Sequence, residues 1–239
     1  MEKPILIASC GDTFPGIRTK FGNFDLWFLD ALEEAGTRAV VWNAHQGVKA
    51  PDIAYSGILI TGSPAMVTDR AQWSESLRVW VKAQADLGVP TLGVCYGHQL
   101  LADAYGGKVD YQPDGREIGS LLVTQTPEGA NDPLFSLLPG SFYAHLTHAQ
   151  SVIKLPKDAV LLAKSGRVSC QAFRIGSSAW GVQFHPEFTQ EVMAGYLEEY
   201  KPQIPPSFHL QLQNHLHDCP EARSVLHGFA KYCRDRDPA

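Results

Sequence analysis

A chain of 239 residues, 44% hydrophobic and 19% charged, reads as a soluble globular protein with length for a sizeable core, not as a disordered one. Its net charge of -5 at pH 7 is mild and no Lys/Arg-rich run offsets it, which argues against nucleic-acid binding. The opening MEKPILIASCGD has an apolar stretch too short for a signal peptide or a membrane span, so the expected location is the cytoplasm, without a membrane partner.

Pro4 to Ser9 (PILIAS) predicts a first strand, and Phe24, Phe28, Ala31, Leu32 and Ala35 mark one face of a helix closed by Gly36. Strands follow at 39–42 and 57–61. Trp73, Leu77, Val81 and Ala85 line another helix, ending at Gly88. A fourth strand over 89–94 leads to a helix over 99–105, stopped by Gly106 and Gly107. This alternation of apolar strands with helices predicts an α/β fold, a mostly parallel central sheet flanked by helices. Beyond Gly107 the segments GKVDY, EIGSLLVTQ, SFYAHLTH, AVLLAKS, VSCQAFRI and SAWGVQF are β-rich and are expected to append hairpins and strands to the same sheet. A helix over 189–200 follows, and the last forty residues read as a helical tail. With no long linker, repeat or low-complexity segment, residues 1–239 are expected to form one domain, a core over about 5–200 and a tail over about 203–239.

The five cysteines (10, 95, 170, 219 and 233) are odd in number, scattered and without a CxxC pair, a poor framework for disulfides or zinc. Cys95 stands apart, in Gly93-Val94-Cys95-Tyr96-Gly97 between a strand and a helix. A strand ending in Gly-x-nucleophile-x-Gly is the nucleophile elbow, a turn so tight that its flanking positions tolerate almost no side chain. The free N–H groups at the start of the next helix can receive an oxyanion and favour a thiolate. The bland alternative is a buried cysteine beside a tight helix–strand contact.

A cysteine nucleophile needs a base and a group that orients the base. Among nine histidines, His185 closes a β-like run in Gly181-Val182-Gln183-Phe184-His185-Pro186-Glu187. If Pro186 holds the segment extended, His185 and Glu187 project to one side and the carboxylate can fix the imidazole tautomer. His98 flanks Cys95. His209, His215 and His217 read as surface polar residues, since no Cys or acidic ligands lie at metal spacing; no metal or cofactor is expected.

GVCYGHQ followed some ninety residues later by GVQFHPE resembles the class I (triad) glutamine amidotransferases, such as the glutaminase portion of GMP synthase, over roughly residues 5 to 200. That resemblance implies a flavodoxin-like sheet and a Cys-His-Glu triad: Cys95 as nucleophile, His185 as base and Glu187 as its orienter. It implies a glutamyl thioester and ammonia passed to a synthetase domain or subunit. Tyr96 N–H would form half of an oxyanion hole, with the other half from the Gly62-Ser63 turn, where Ser63 replaces a family glycine. Gln99 matches a residue that contacts the substrate amino acid. Thr147, His148, Ala149 and Gln150 occupy the place of a Ser-His-Gly-Asp stretch that holds the glutamine α-amino and carboxylate groups. Gln150 replaces the acid there, which weakens the match to free glutamine.

These 239 residues leave no room for a synthetase domain beside the expected core, and no stretch resembles a phosphate-binding loop of the Gly-Lys-Ser/Thr kind. Two enzyme readings follow: a glutaminase subunit serving a synthetase partner, or a freestanding hydrolase of a γ-glutamyl bond, resembling γ-glutamyl peptidases. A third reading is a non-enzymatic regulatory or binding protein that keeps the fold. The complete triad argues against it, because binding alone makes no demand on all three residues.

Overall fold

The computed structural model describes residues 3–236. The chain begins with β1 (Ile5–Ala8), α1 (Pro15–Phe21), α2 (Phe24–Glu34) and β2 (Ala39–Trp42). It continues through β3 (Gly57–Ile60), α3 (Gln72–Asp86), β4 (Thr91–Val94) and α4 (Tyr96–Ala104). A β-rich stretch follows: β5 (Lys108–Tyr111), β6 (Glu117–Gln125), β7 (Ser141–His148), β8 (Gln150–Lys154), β9 (Ala159–Ser165), β10 (Ala172–Ile175) and β11 (Ala179–Val182). The chain then closes with α5 (Gln190–Tyr200), α6 (Pro206–Asn214) and α7 (Pro220–Arg236).

Nine strands form one sheet in the order β2-β1-β3-β4-β11-β10-β9-β6-β7. From β2 to β11 neighbours run parallel; from β11 to β7 they run antiparallel. β1, β3, β4 and β11 are buried at every position, as a sheet covered on both faces requires. Alternate residues serve opposite layers. Ile5, Ile7, Leu59 and Leu92 pack with Phe28 and Leu32 of α2 and Phe229 of α7. Leu6, Ala8, Ile58 and Ile60 pack with Leu77 and Val81 of α3 and Leu100 and Leu101 of α4.

The parallel half follows the sequence pattern, and the differences lie elsewhere. The segment GKVDY does not join the large sheet: β5 pairs with β8 in a separate two-stranded sheet. Gly107 sets this path, because a Cβ there would lie 2.9 Å from both the Ala102 and Lys154 carbonyl oxygens. β8 and the short α1 were not legible from periodicity; α1 opens with Pro15 at its first turn, a position proline favours. The final helix is no peripheral tail. Val225, Leu226, Phe229, Ala230 and Cys233 of α7 are completely buried in the main core. Among the described residues no helix is long and apolar enough to cross a membrane.

Phe229 therefore supports the same core as β1 and β3. Phe229→Ala is expected to lower unfolding stability by about 3 kcal/mol or more, the cost of emptying an aromatic core position. A urea midpoint unchanged from wild type would show that α7 is dispensable to the sheet.

Candidate active site

Cys95 follows β4 directly, and α4 begins at the next residue, Tyr96, three positions earlier than periodicity indicates. The cysteine backbone sits at φ 51 and ψ −96, a region that non-glycine residues rarely occupy and that costs on the order of 1–3 kcal/mol. Two bonds pin the turn: Cys95 N–H donates to the Val182 carbonyl at 2.8 Å, and Gln99 N–H donates to the Cys95 carbonyl at 3.1 Å. Both flanking glycines are required by space. A Cβ on Gly93 would stand 2.4 Å from the Gly97 carbonyl oxygen, and one on Gly97 would stand 2.5 Å from the Ile60 carbonyl oxygen. The turn is tight because the start of α4 lies directly on β3 and β4.

β11 is the parallel neighbour of β4, so the chain leaving it brings His185 to the same edge as Cys95. The segment is not extended as expected. Phe188 N–H donates to the His185 carbonyl at 3.4 Å, closing a turn with Pro186 inside it, a position proline's fixed φ suits. That turn folds Glu187 back, and His185 Nδ1 donates to Glu187 Oε1 at 2.7 Å. Both side chains are almost fully buried. Phe188 stacks on the imidazole with centroids 4.1 Å apart, and Phe24 lies parallel on it at 6.2 Å. Burial alone pushes the imidazole pKa down, but the Glu187 charge and then Cys95 outweigh it and hold the value well above the ordinary range. His185 Nε2 is buried without a hydrogen-bond partner, so one ring nitrogen is fixed and the other is free.

Cys95, Tyr96 and His185 line a cavity of about 270 Å³. Its wall beside the elbow is Ser63, Pro64 and Ala65. The Ser63 hydroxyl is engaged by the protein, donating to the Cys10 carbonyl at 2.7 Å. Gly62 sits against the imidazole: a Cβ there would come within 2.9 Å of His185 Cε1 and 3.2 Å of Phe24 Cε1. Its lack of a side chain therefore makes room for the imidazole. Tyr96 stands at the first position of α4, where a helix leaves its N–H without an internal acceptor.

Thr147, His148, Ala149 and Gln150 form another part of the cavity wall, together with Gln99. They differ in what they leave free. Thr147 Oγ1 is buried and unpartnered. His148, expected to hold substrate, instead has both nitrogens engaged by the protein: Nδ1 with the Gln150 carbonyl at 2.8 Å and Nε2 with Glu117 Oε2 at 2.9 Å. Gln99 Nε2 likewise donates to the Gln150 carbonyl and to Gln183 Oε1, at 2.8 and 3.0 Å, leaving only its carbonyl for a ligand. Gln150 donates through Nε2 to Thr68 Oγ1 at 2.6 Å, and its Oε1 is buried without a partner.

Glu117 escaped the sequence reading, although an acid beside the apolar run of EIGSLLVTQ is a signal in itself. Burial pushes its carboxyl up, yet hydrogen bonds from His148, Ser165 and Gln171 hold it below the usual range. Asp12, Thr13 and Phe14 also line the cavity, in the loop after β1. The rule that ligands sit beyond the carboxyl ends of parallel strands marks that loop from topology alone.

The other cysteines are all free and buried. Burial pushes the thiols of Cys10, Cys170 and Cys219 up to about 12 and that of Cys233 up as well. His98 is completely buried beside Phe173, and burial lowers its pKa to about 3. His209 corrects the expectation of a surface residue: it is buried, with Nε2 3.4 Å from Glu198.

The family model for glutamine amidotransferase class-I matches residues 21–199, and the chain belongs to that family of enzymes. Relatives of two kinds are among the matches. A glutamine-hydrolysing GMP synthase from Caldicellulosiruptor saccharolyticus is 38% identical over 185 residues, which are 74% of this chain and 34% of that protein. Gamma-glutamyl peptidase 3 from Arabidopsis thaliana is 26% identical over 198 residues, 79% of this chain and 78% of the peptidase. The chain thus spans about a third of the synthase and most of the peptidase. A glutamine amidotransferase from Thermotoga maritima shares the fold, with a TM-score of 0.75 and 19% identity over 98% of this chain and all of that one.

Two outcomes are expected. A glutamine-mimicking electrophile at neutral pH should label Cys95 alone, since burial keeps the other four thiols protonated; peptide mapping that finds a second labelled cysteine contradicts this. In Glu187→Gln the imidazole loses the charge that most raises its pKa. The alkaline limb of kcat/KM should then move to lower pH, by roughly one unit or more. A limb that stays in place would mean that His185 does not carry it.

Proposed function

We propose that this chain cleaves a γ-glutamyl carboxamide bond through Cys95, His185 and Glu187. The observation that carries the reading is Cys95 on a strained turn in one cavity with His185, whose Nδ1 is fixed by Glu187 and whose Nε2 is free. The Cys95 thiolate attacks the γ-carbonyl carbon, and the developing oxyanion is received by backbone N–H groups of Tyr96 and of the Gly62-Ser63 turn. Collapse expels ammonia or an amine, which takes its proton from His185 Nε2, and leaves a glutamyl thioester. His185 then removes a proton from water, the resulting hydroxide attacks the thioester, and Cys95 is released with glutamate. The reaction needs no cofactor, and the whole described chain acts as one catalytic unit.

Within this chemistry we favour a freestanding hydrolase of γ-glutamyl compounds. Support comes from Gln150 in place of an acid and from a peptidase relative of nearly the same extent. A neutral amide oxygen accepts a hydrogen bond from an α-ammonium but lacks the charge-assisted part, roughly half of such a contact. The second reading, a glutaminase that passes ammonia to a synthetase partner, draws on the 38% identity to a GMP synthase.

The test incubates the purified protein alone with glutamine and with γ-glutamyl peptides, measuring ammonia and glutamate. Glutamate from peptides, abolished in Cys95→Ala, is the expected result. Ammonia from glutamine as the preferred reaction favours the partnered glutaminase, and neither product favours a binding protein. Gln150→Asp is expected to raise kcat/KM for free glutamine more than for γ-glutamyl peptides, by about tenfold if a full charge-assisted contact is restored. An unchanged ratio would remove Gln150 from the account of substrate choice.

A further inference from the structure

Among the described residues, and apart from histidines, the charged side chains that line the cavity around Cys95 are Asp12 and Arg116. Asp12 is already matched: Oδ2 accepts from Arg18 at 2.8 Å and Oδ1 from Asn23 at 2.7 Å. Arg116 has no carboxylate partner among the described residues. Its guanidinium carbon lies 4.1 Å from the centroid of the Tyr200 ring, and Tyr200 lines the same cavity. Backbone contacts hold this stretch in place: Arg167 donates to the Asp114 carbonyl at 2.7 Å, and Glu117 continues into β6 opposite His148 of β7.

Arg116 also borders a second cavity, of about 260 Å³, closed by Phe208, Gln211 and Leu212 of α6. It therefore stands at the edge of the catalytic cavity, where a group beyond the reacting bond would arrive. A guanidinium lying on an aromatic ring keeps its edge N–H groups for a planar anion, and a carboxylate matches that edge with two parallel hydrogen bonds.

We infer that Arg116, held on Tyr200, is a specificity-determining residue that binds a carboxylate of the substrate. The inference rests on the hydrolase reading of the Cys95 site. A γ-glutamyl peptide offers this chemistry twice, in the α-carboxylate of its glutamyl part and in the carboxylate of the residue that leaves. Among the described residues no acid pairs with Arg116, so an incoming carboxylate displaces no ion pair among them.

The experiment compares wild type, Arg116→Met and Arg116→Lys on γ-glutamylglycine and on γ-glutamyl-4-nitroanilide, which lacks the leaving-side carboxylate. Arg116→Met should raise KM for γ-glutamylglycine by at least about tenfold, the worth of one charge-assisted hydrogen bond, with kcat held within about twofold. Arg116→Lys should recover part of the loss. If the anilide is unaffected, the carboxylate is that of the leaving residue; if its KM rises equally, it is the α-carboxylate. Unchanged KM for both substrates, or a loss confined to kcat, overturns the inference. Glutarate binding, measured by calorimetry without turnover, separates this from failure of the hydrolase reading: if wild type cleaves neither substrate, Arg116→Met should still weaken glutarate at least about tenfold. Equal affinity in the two proteins, or binding to neither, again overturns it.

Discussion

The close approach of α4 to β3 and β4 is the constraint on which the rest of the site depends. Gly93 and Gly97 permit it, since any side chain at either position would strike backbone carbonyl groups. With the helix set down there, the chain must turn within one residue, and that residue is Cys95 at positive φ. The thiol is thereby fixed at the edge of the sheet instead of moving with a loop. The same turn sets Tyr96, a residue of the cavity wall, at the first position of α4, where its N–H has no acceptor within the helix.

Parallel pairing supplies the second half of the site. β11 lies next to β4 although some ninety residues separate them in sequence, and the turn after β11 places His185 at the carboxyl edge of its neighbour. Burial then decides the electrostatics. An imidazole enclosed by Phe24 and Phe188 would be neutral, but Glu187 in the same enclosure reverses that preference because low dielectric strengthens attraction as well as desolvation. Glu187 Oε2 has no partner of its own, so the carboxylate is directed at His185 with little competition.

A second buried histidine–glutamate pair, His148 and Glu117, contrasts with the first. Both nitrogens of His148 are engaged by oxygen atoms of the protein, whereas His185 keeps one free. The His148 arrangement stiffens the wall that carries Ala149 and Gln150; the His185 arrangement leaves one ring nitrogen unpartnered. The two pairs share chemistry and differ only in what remains unpartnered. Burial and residue type cannot distinguish them, and the hydrogen-bond geometry can.

What the sequence determined by itself is local. Gly93 and Gly97 around Cys95 specify a turn through steric exclusion, and ILIA, GILI and TLGV specify strands covered on both faces through continuous apolar character. His185 and Glu187, two residues apart, were legible as a pair, although through a turn and not the extended geometry that Pro186 suggested. Only the tertiary structure decided the relations between distant segments. It removed β5 from the large sheet, made α7 a core layer through Phe229 and Cys233, and brought Glu117 to His148 and Arg116 to Tyr200. Periodicity and steric rules act within a few residues along the chain, whereas these contacts join residues many positions apart and exist only once the layers have packed.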